Sequence, residues 1–363
     1  MQQQRYVELD GLRGIAVIGI LMIHAFPTQF FWVWSLVDLF FVLSGFLITS
    51  ILLRTDFHAP HFLRNFLIRR VLRIWPVYFI ALSFAMTLMA IRWGLHGQTS
   101  DSKWWPYLLF VQFYEGYAAA GIESVFKYVQ IFRHSWSVAV EEQFYVLWPL
   151  VLYVAGKRSL GIAFFCVAMI MAGMFFREQG YLVILLITRM DGLALGALLA
   201  VALQYPQALQ WMRYACVTAF FCGLYIVTPY LYEGYTTDVI KHYNDLALFG
   251  NWGILVTAFS LIYAAIVGLT LTDSLPWGAR IFRTRFLVFF GSISYALYMC
   301  QGWVRSLTFT LFKPLTGNSI PVWVELVSIL FMVLFAYASK LMIEDRCERL
   351  KSRYPLQRVR EPA

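Results

Sequence analysis

The sequence predicts an all-α membrane protein, a bundle of about ten transmembrane helices. Three observations predict it. The composition is 60% hydrophobic and 13% charged, where soluble chains average about 25% charged. Mean hydropathy is +0.66. Apolar stretches of about 20 residues, the length that crosses a bilayer, recur along the whole chain. Aromatics reach 18%, which suits the belts at membrane interfaces.

The first span, 9–29, opens on Asp10-Gly11-Leu12-Arg13-Gly14 and closes at Pro27. A very short turn leads to the second, 33–54, so the two are expected as a tight helical hairpin. The third, 73–92, follows a basic run. Segment 104–114 is too short to span and reads as interfacial. Spans 136–156, 159–177, 182–203, 211–231, 251–271, 286–311 and 320–343 complete the set. Two longer loops, about 93–135 and 232–250, face outward. The transmembrane unit is thus 1–343, and 344–363 is a basic cytoplasmic tail, expected to be disordered or lipid-associated.

The basic residues orient the bundle. Of 29 Lys and Arg, 20 fall on one side and 7 in the opposite loops, with Arg189 and Arg305 inside spans. Basic loops stay cytoplasmic, which places both termini there. The net charge of +9 is accounted for in this way, and no nucleic-acid role is needed. There is no signal-peptide cleavage site after the first apolar run and no internal repeat. The five cysteines, Cys166, Cys216, Cys222, Cys300 and Cys347, lack metal-ligand spacing. They read as packing residues, and no metal site is expected.

Ionisable residues inside spans are costly and usually functional. Arg13 and His24 are eleven residues apart, which puts them within about 20° on one helix face and about 16 Å apart along the axis. His24, Asp38, Glu141, Glu142, Tyr145, Arg189, Asp191, Gln301, Arg305 and Glu325 fall at similar distances from the outer ends of six spans. Such a layer suits a polar cavity. An imidazole can take an alcohol proton near neutral pH, and a carboxylate on its other nitrogen would hold the tautomer. Asp38 and one of Glu141 and Glu142 are the candidates for that carboxylate; the two glutamates point about 100° apart. Tyr145, Arg189, Asp191, Gln301, Arg305 and Glu325 are candidates for the acceptor site. Alternatively, Asp38 pairs locally, Arg189 and Asp191 form an internal ion pair, and the last three are structural.

A second cluster opens span 3. Arg69, Arg70 and Arg73 lie within about one helical turn, and Arg70 and Arg73 share a face. Arginine forks suit phosphate, and Arg13 lies at the same level. A plain lipid-headgroup anchor is the other reading. Gly45, Gly192 and Gly196 are expected to let helices approach closely.

These segments together resemble the acyltransferase 3 family of bacterial membrane O-acyltransferases. The matching runs are Leu9 to Gly14 with His24; Asp38 to Phe46; Arg69-Arg70 with Arg73 and Pro76; Ser135 to Tyr145; Arg189 to Gly192; and Gly291 to Tyr298. The resemblance implies a ten-helix bundle of the bacterial inner membrane. It implies transfer of an acyl group, acetyl above all, from cytoplasmic acyl-CoA to a hydroxyl of a carbohydrate or glycoconjugate. His24 matches the family's essential histidine, Arg13 its motif arginine, and Arg70 and Arg73 the arginines associated with donor binding. A chain of this length resembles the stand-alone type without an SGNH hydrolase-like domain. No bound cofactor is expected beyond acyl-CoA as cosubstrate, and the oligomeric state is left open. The alternatives are a transporter or flippase of a glycoconjugate, and an inactive membrane scaffold.

Overall fold

The computed structural model describes residues 6–25, 31–95, 105–112, 130–179, 181, 184–236, 253–317 and 320–357. Among these the chain forms helices joined by turns, with no β-strand. The long helices are α1 (Val7–Ala25), α2 (Leu36–Leu53), α3 (Phe62–Leu95), α4 (Trp136–Val154) and α5 (Ser159–Glu178). They continue with α6 (Leu186–Ala202), α7 (Leu209–Thr236), α8 (Gly253–Leu271), α9 (Arg285–Thr316) and α10 (Val322–Ser339). Each lies on one of the expected apolar segments.

Seven of them, α2, α3, α5, α7, α8, α9 and α10, are long and apolar enough to cross a membrane. The other three carry much of the charge. Glu8, Asp10 and Arg13 lie on α1, Glu141 and Glu142 on α4, and Arg189 and Asp191 on α6. Charged groups also sit on the seven apolar helices, Asp38 on α2, Arg70 on α3 and Arg177 on α5 among them.

Helix α2 is the most enclosed, packing on α1, α4, α6 and α8. α5, α7 and α10 lie outside and expose Phe164, Phe175, Phe221 and Leu334, faces suited to lipid. Several helix pairs touch backbone to backbone, two of them through a glycine from each side. A Cβ at Gly45 of α2 would meet the Leu193 carbonyl of α6 at 2.0 Å, and one at Gly196 would meet the Val42 carbonyl at 2.0 Å. This is the close approach expected of small residues. α1 and α9 do the same, because a Cβ at Gly14 would meet the Leu287 carbonyl at 2.1 Å and one at Gly291 the Asp10 carbonyl at 1.8 Å.

Three boundaries differ from expectation for physical reasons. α3 begins at Phe62 rather than 73, because the basic run continues the helix beyond its apolar part. Arg69, Arg70 and Arg73 therefore sit on α3, as their helical spacing implied. Within 104–114, the described residues 105–112 include a short helix, Trp105–Leu108. Trp105 and Leu108 are exposed, but Tyr107 and Phe110 are buried against Tyr78, whose hydroxyl donates to the Tyr107 carbonyl at 3.0 Å. The tail is ordered over its described part. α10 runs into a π-helical turn, Lys340–Glu344, and then a helix, Asp345–Leu350, which packs on the start of α3. The expectation of disorder is corrected there, since Asn65 and Arg69 of α3 hold its backbone.

Candidate active site

A cavity of about 790 Å³ opens at the end of the bundle where α1 and α3 begin and α2 ends. It adjoins a smaller chamber of about 100 Å³, lined by Ser44, Ser137, Glu141, Tyr145 and Tyr298. Arg13, Arg70, Arg73, Ser294 and Tyr295 line both. Five helices contribute: α1 supplies Arg13, α2 Ser44, α3 the two other arginines, α4 Glu141 and Tyr145, and α9 Ser294, Tyr295 and Tyr298. The arginine cluster thus meets one carboxylate, Glu141, across the smaller chamber.

Helical spacing explains several of these positions. Arg70 and Arg73 share a face of α3, and Glu141 and Tyr145 share one of α4. The Tyr145 hydroxyl donates to Glu141 Oε2 at 3.0 Å. That uses its only proton, so Ser44 Oγ, at 2.6 Å, donates to the tyrosine oxygen. A Ser44–Tyr145–Glu141 chain therefore joins α2 to α4. Tyr295 OH donates to the Ile74 carbonyl at 2.9 Å and Tyr298 OH to the His134 carbonyl at 2.8 Å. These bonds hold α9 against α3 and the turn before α4.

The cations are unequally paired. Arg13 Nη1 lies 3.4 Å from Asp10. Arg70 is buried, with its Nε unpartnered and its guanidinium 5.8 Å from the Phe66 ring centroid. Arg69 is directed toward the C-terminal segment, where its Nη1 donates to the carbonyls of Lys351 at 2.7 Å and Tyr354 at 3.2 Å. Arg69 thus braces that segment while lining the large cavity, and its two neighbours reach the smaller chamber as well.

The single polar layer expected near the outer ends is corrected too, because the structure resolves its described members into separate sets. Asp38 is bound by Arg189, whose Nη1 lies 3.0 and 3.2 Å from its two oxygens. Both are buried. Arg189 breaks the helical backbone at the start of α6 (φ −130°) and sits between the rings of Trp34 and Trp136, at 5.5 and 5.0 Å. Glu142 faces α3, not the chamber, and accepts from Trp75 Nε1 at 3.3 Å. Arg305 and Glu325 pair across α9 and α10 at 3.1 Å. Gln301 is buried in α9. His24 lies in the last turn of α1, and its side chain is outside the described residues, so its contact with Asp38 or Glu141 is outside them as well.

Asp191 pairs with Arg177, not with Arg189. Arg177 Nη1 and Nη2 each reach one Asp191 oxygen at 2.8 Å. Its other donors go to the carbonyls of Gly253 at 2.9 Å and Thr188 at 2.6 Å, and to Thr257 Oγ1 at 2.7 Å. All five guanidinium N–H groups are used, so this is a clamp between α5, α6 and α8 rather than an acceptor site. By sequence Arg177 falls among the loop cations, because it ends an apolar segment and nothing local reveals its partner. Asp191→Asn is expected to strand a buried cation and cost about 3–5 kcal/mol. Thermal denaturation of the detergent-solubilised variant checks this, and a melting point equal to wild type would contradict it.

The residues missed among site candidates are Ser44, Ser137, Ser294, Tyr295 and Tyr298. All lie in the runs that carry the family resemblance, yet single hydroxyl groups in apolar helices give no periodic or charge signal.

The apolar helices define a multi-pass helical membrane protein, with an internal chamber lined by Arg13, Arg70 and Arg73. The acyltransferase 3 model, described as an acyltransferase domain, matches residues 6–340, and the chain belongs to that family. It is 26% identical over 378 residues to "O-acetyltransferase OatA" of Staphylococcus aureus (strain NCTC 8325 / PS 47), covering 95% of this chain and 57% of that protein. It is likewise 26% identical over 383 residues to "Putative O-acetyltransferase SACOL0978" of Staphylococcus aureus (strain COL), covering 94% and 57%. Identity to "Putative peptidoglycan O-acetyltransferase YrhL" of Bacillus subtilis (strain 168) is 32% over 170 residues, 42% of this chain and 25% of that one. The chain thus spans little more than half the length of the staphylococcal relatives. No solved structure matches it.

Proposed function

We propose that this protein is an acyl-CoA-dependent O-acyltransferase of the bacterial inner membrane, with ten spans and both termini cytoplasmic. The donor, acetyl-CoA by family resemblance, enters the large cavity from the cytoplasm. The acceptor is a hydroxyl of a carbohydrate or glycoconjugate at the opposite face. The observation that carries this reading is the chamber itself. Arg13, Arg70 and Arg73 converge there on one carboxylate, and Arg70 is buried with an unpartnered Nε. A buried cation needs an anion, and arginine forks match phosphate.

In the reaction, the acceptor oxygen attacks the thioester carbonyl. A C–O bond forms, the C–S bond breaks, and CoA leaves as the thiolate. His24 takes the hydroxyl proton, and the proton ends on the CoA sulfur. Arg13 and His24 lie on the same unbroken helix, about 16 Å apart. This arrangement sets donor phosphates and acceptor at different depths. Glu141 is the counter-charge that holds the arginines in place when the donor is absent. Relatives named as O-acetyltransferases, one of them for peptidoglycan, support acetyl and a glycan acceptor.

The test is a purified, nanodisc-embedded protein given [14C]acetyl-CoA and a peptidoglycan or polysaccharide acceptor. Acceptor-dependent CoA release with label in the glycan is the expected result. Movement of the glycoconjugate without thioester cleavage would assign a transporter instead.

A further inference from the structure

The family match ends at residue 340, but the wall of the large cavity does not. Lys351, Ser352, Pro355 and Leu356 line it as well, together with Arg54 and the carboxylates Glu344, Asp345 and Glu348. This segment is held by its backbone. Besides the two carbonyls bound by Arg69, the Pro355 carbonyl accepts from Asn65 Nδ2 at 3.0 Å, and the Gln357 carbonyl accepts from the Asp56 amide at 2.9 Å. Clamping through carbonyls leaves the side chains to face the cavity. Lys351 is only 5% exposed, and its ammonium is bound to the Glu348 carboxylate. The Glu348 side chain is 68% exposed, so it can swing away.

We propose that this C-terminal segment is the subsite for the nucleotide end of the donor, with Lys351 and Arg54 holding its phosphates and Glu348 as the internal anion they displace. The inference rests on the acyl-CoA reading above. Acyl-CoA has a slim thioester arm and a bulky, multiply charged nucleotide. The 100 Å³ chamber is well below the roughly 300–1,000 Å³ of ordinary ligand pockets, so it takes the arm, with Arg13, Arg70 and Arg73, which line both spaces, at the arm's phosphate end. The 790 Å³ cavity lies within that range and takes the nucleotide. Glu348 also lies within electrostatic reach of Arg69, Arg70 and Arg73, where a carboxylate competes with incoming phosphate. The subsite thus belongs to a part of the chain beyond the matched family residues, and it tunes affinity for the donor without touching the reacting atoms.

The experiment is calorimetric titration of the full chain in nanodiscs with CoA and, separately, with pantetheine, which lacks the nucleotide. Lys351→Ala and Arg54→Ala are each expected to weaken CoA binding about tenfold, with pantetheine unchanged. Glu348→Gln is expected to tighten CoA binding several-fold, a direction that a purely structural clasp does not produce. Lys351→Ala binding CoA within about twofold of wild type overturns the proposal. So does equal weakening of CoA and pantetheine, or a Glu348→Gln variant that weakens CoA. Wild-type protein that binds CoA no better than pantetheine overturns the acyl-CoA reading itself, before any variant is made.

Discussion

His24→Ala is expected to lower acyl transfer by about 10²–10⁴-fold, the usual cost of losing a general base, while the protein stays folded. The reason begins with helix geometry. α1 runs unbroken from Val7 to Ala25, so Arg13 and His24 share one side of it, about 16 Å apart. Arg13 lines the smaller chamber, and His24 lies about three helical turns further along the same helix. Near neutral pH an imidazole is poised to accept a hydroxyl proton. Acyl-transfer assays on purified, monodisperse variant protein decide the matter. Activity within about threefold of wild type would remove His24 from the chemistry.

The double variant Arg70→Ala, Arg73→Ala is expected to raise KM for acetyl-CoA about 100-fold or more, with a far smaller change for the acceptor. Each charge-assisted contact to phosphate contributes about 1.5–3 kcal/mol. Arg70 is buried beside the chamber, where little water screens its charge. Lysine at both positions should restore only part of the loss, because it lacks the planar fork. A lipid-anchor role for these residues predicts altered orientation with normal donor affinity. Donor titrations on variants of verified topology distinguish the two, and an unchanged KM in a correctly oriented double variant would return the pair to anchoring.

Some of the site is legible from the sequence without any contact. The turn-spaced Arg70 and Arg73, together with Arg13 and Glu141, stand out as candidates, and all four meet in one chamber. That shared location is not legible for Glu141. Depth counted from span ends groups it with Asp38 and Arg189, yet it faces cations from α1 and α3. The count assumes helices that start at the membrane surface, whereas α3 begins eleven residues before its expected apolar span. Asp38, Arg189, Asp191, Arg305 and Glu325 also read as site groups, and each holds a partner on another helix. Spacing along the chain does not separate a site carboxylate from a clamped one.

The sequence by itself determined the helical class, the position of the ten long helices, the small residues at α2–α6 contacts and the family. These follow from hydropathy, local periodicity and ordered motifs, which act between near neighbours along the chain. Only the tertiary structure decided that Arg177 takes Asp191, that Arg189 takes Asp38, that Arg69 braces the tail and that the tail walls the cavity. Each of those outcomes depends on the rotation and axial offset of one helix against another. A shift of one residue turns a side chain by about 100°, so partner choice across helices is set by packing at sites such as Gly45 and Gly196, far along the chain from the charges it joins.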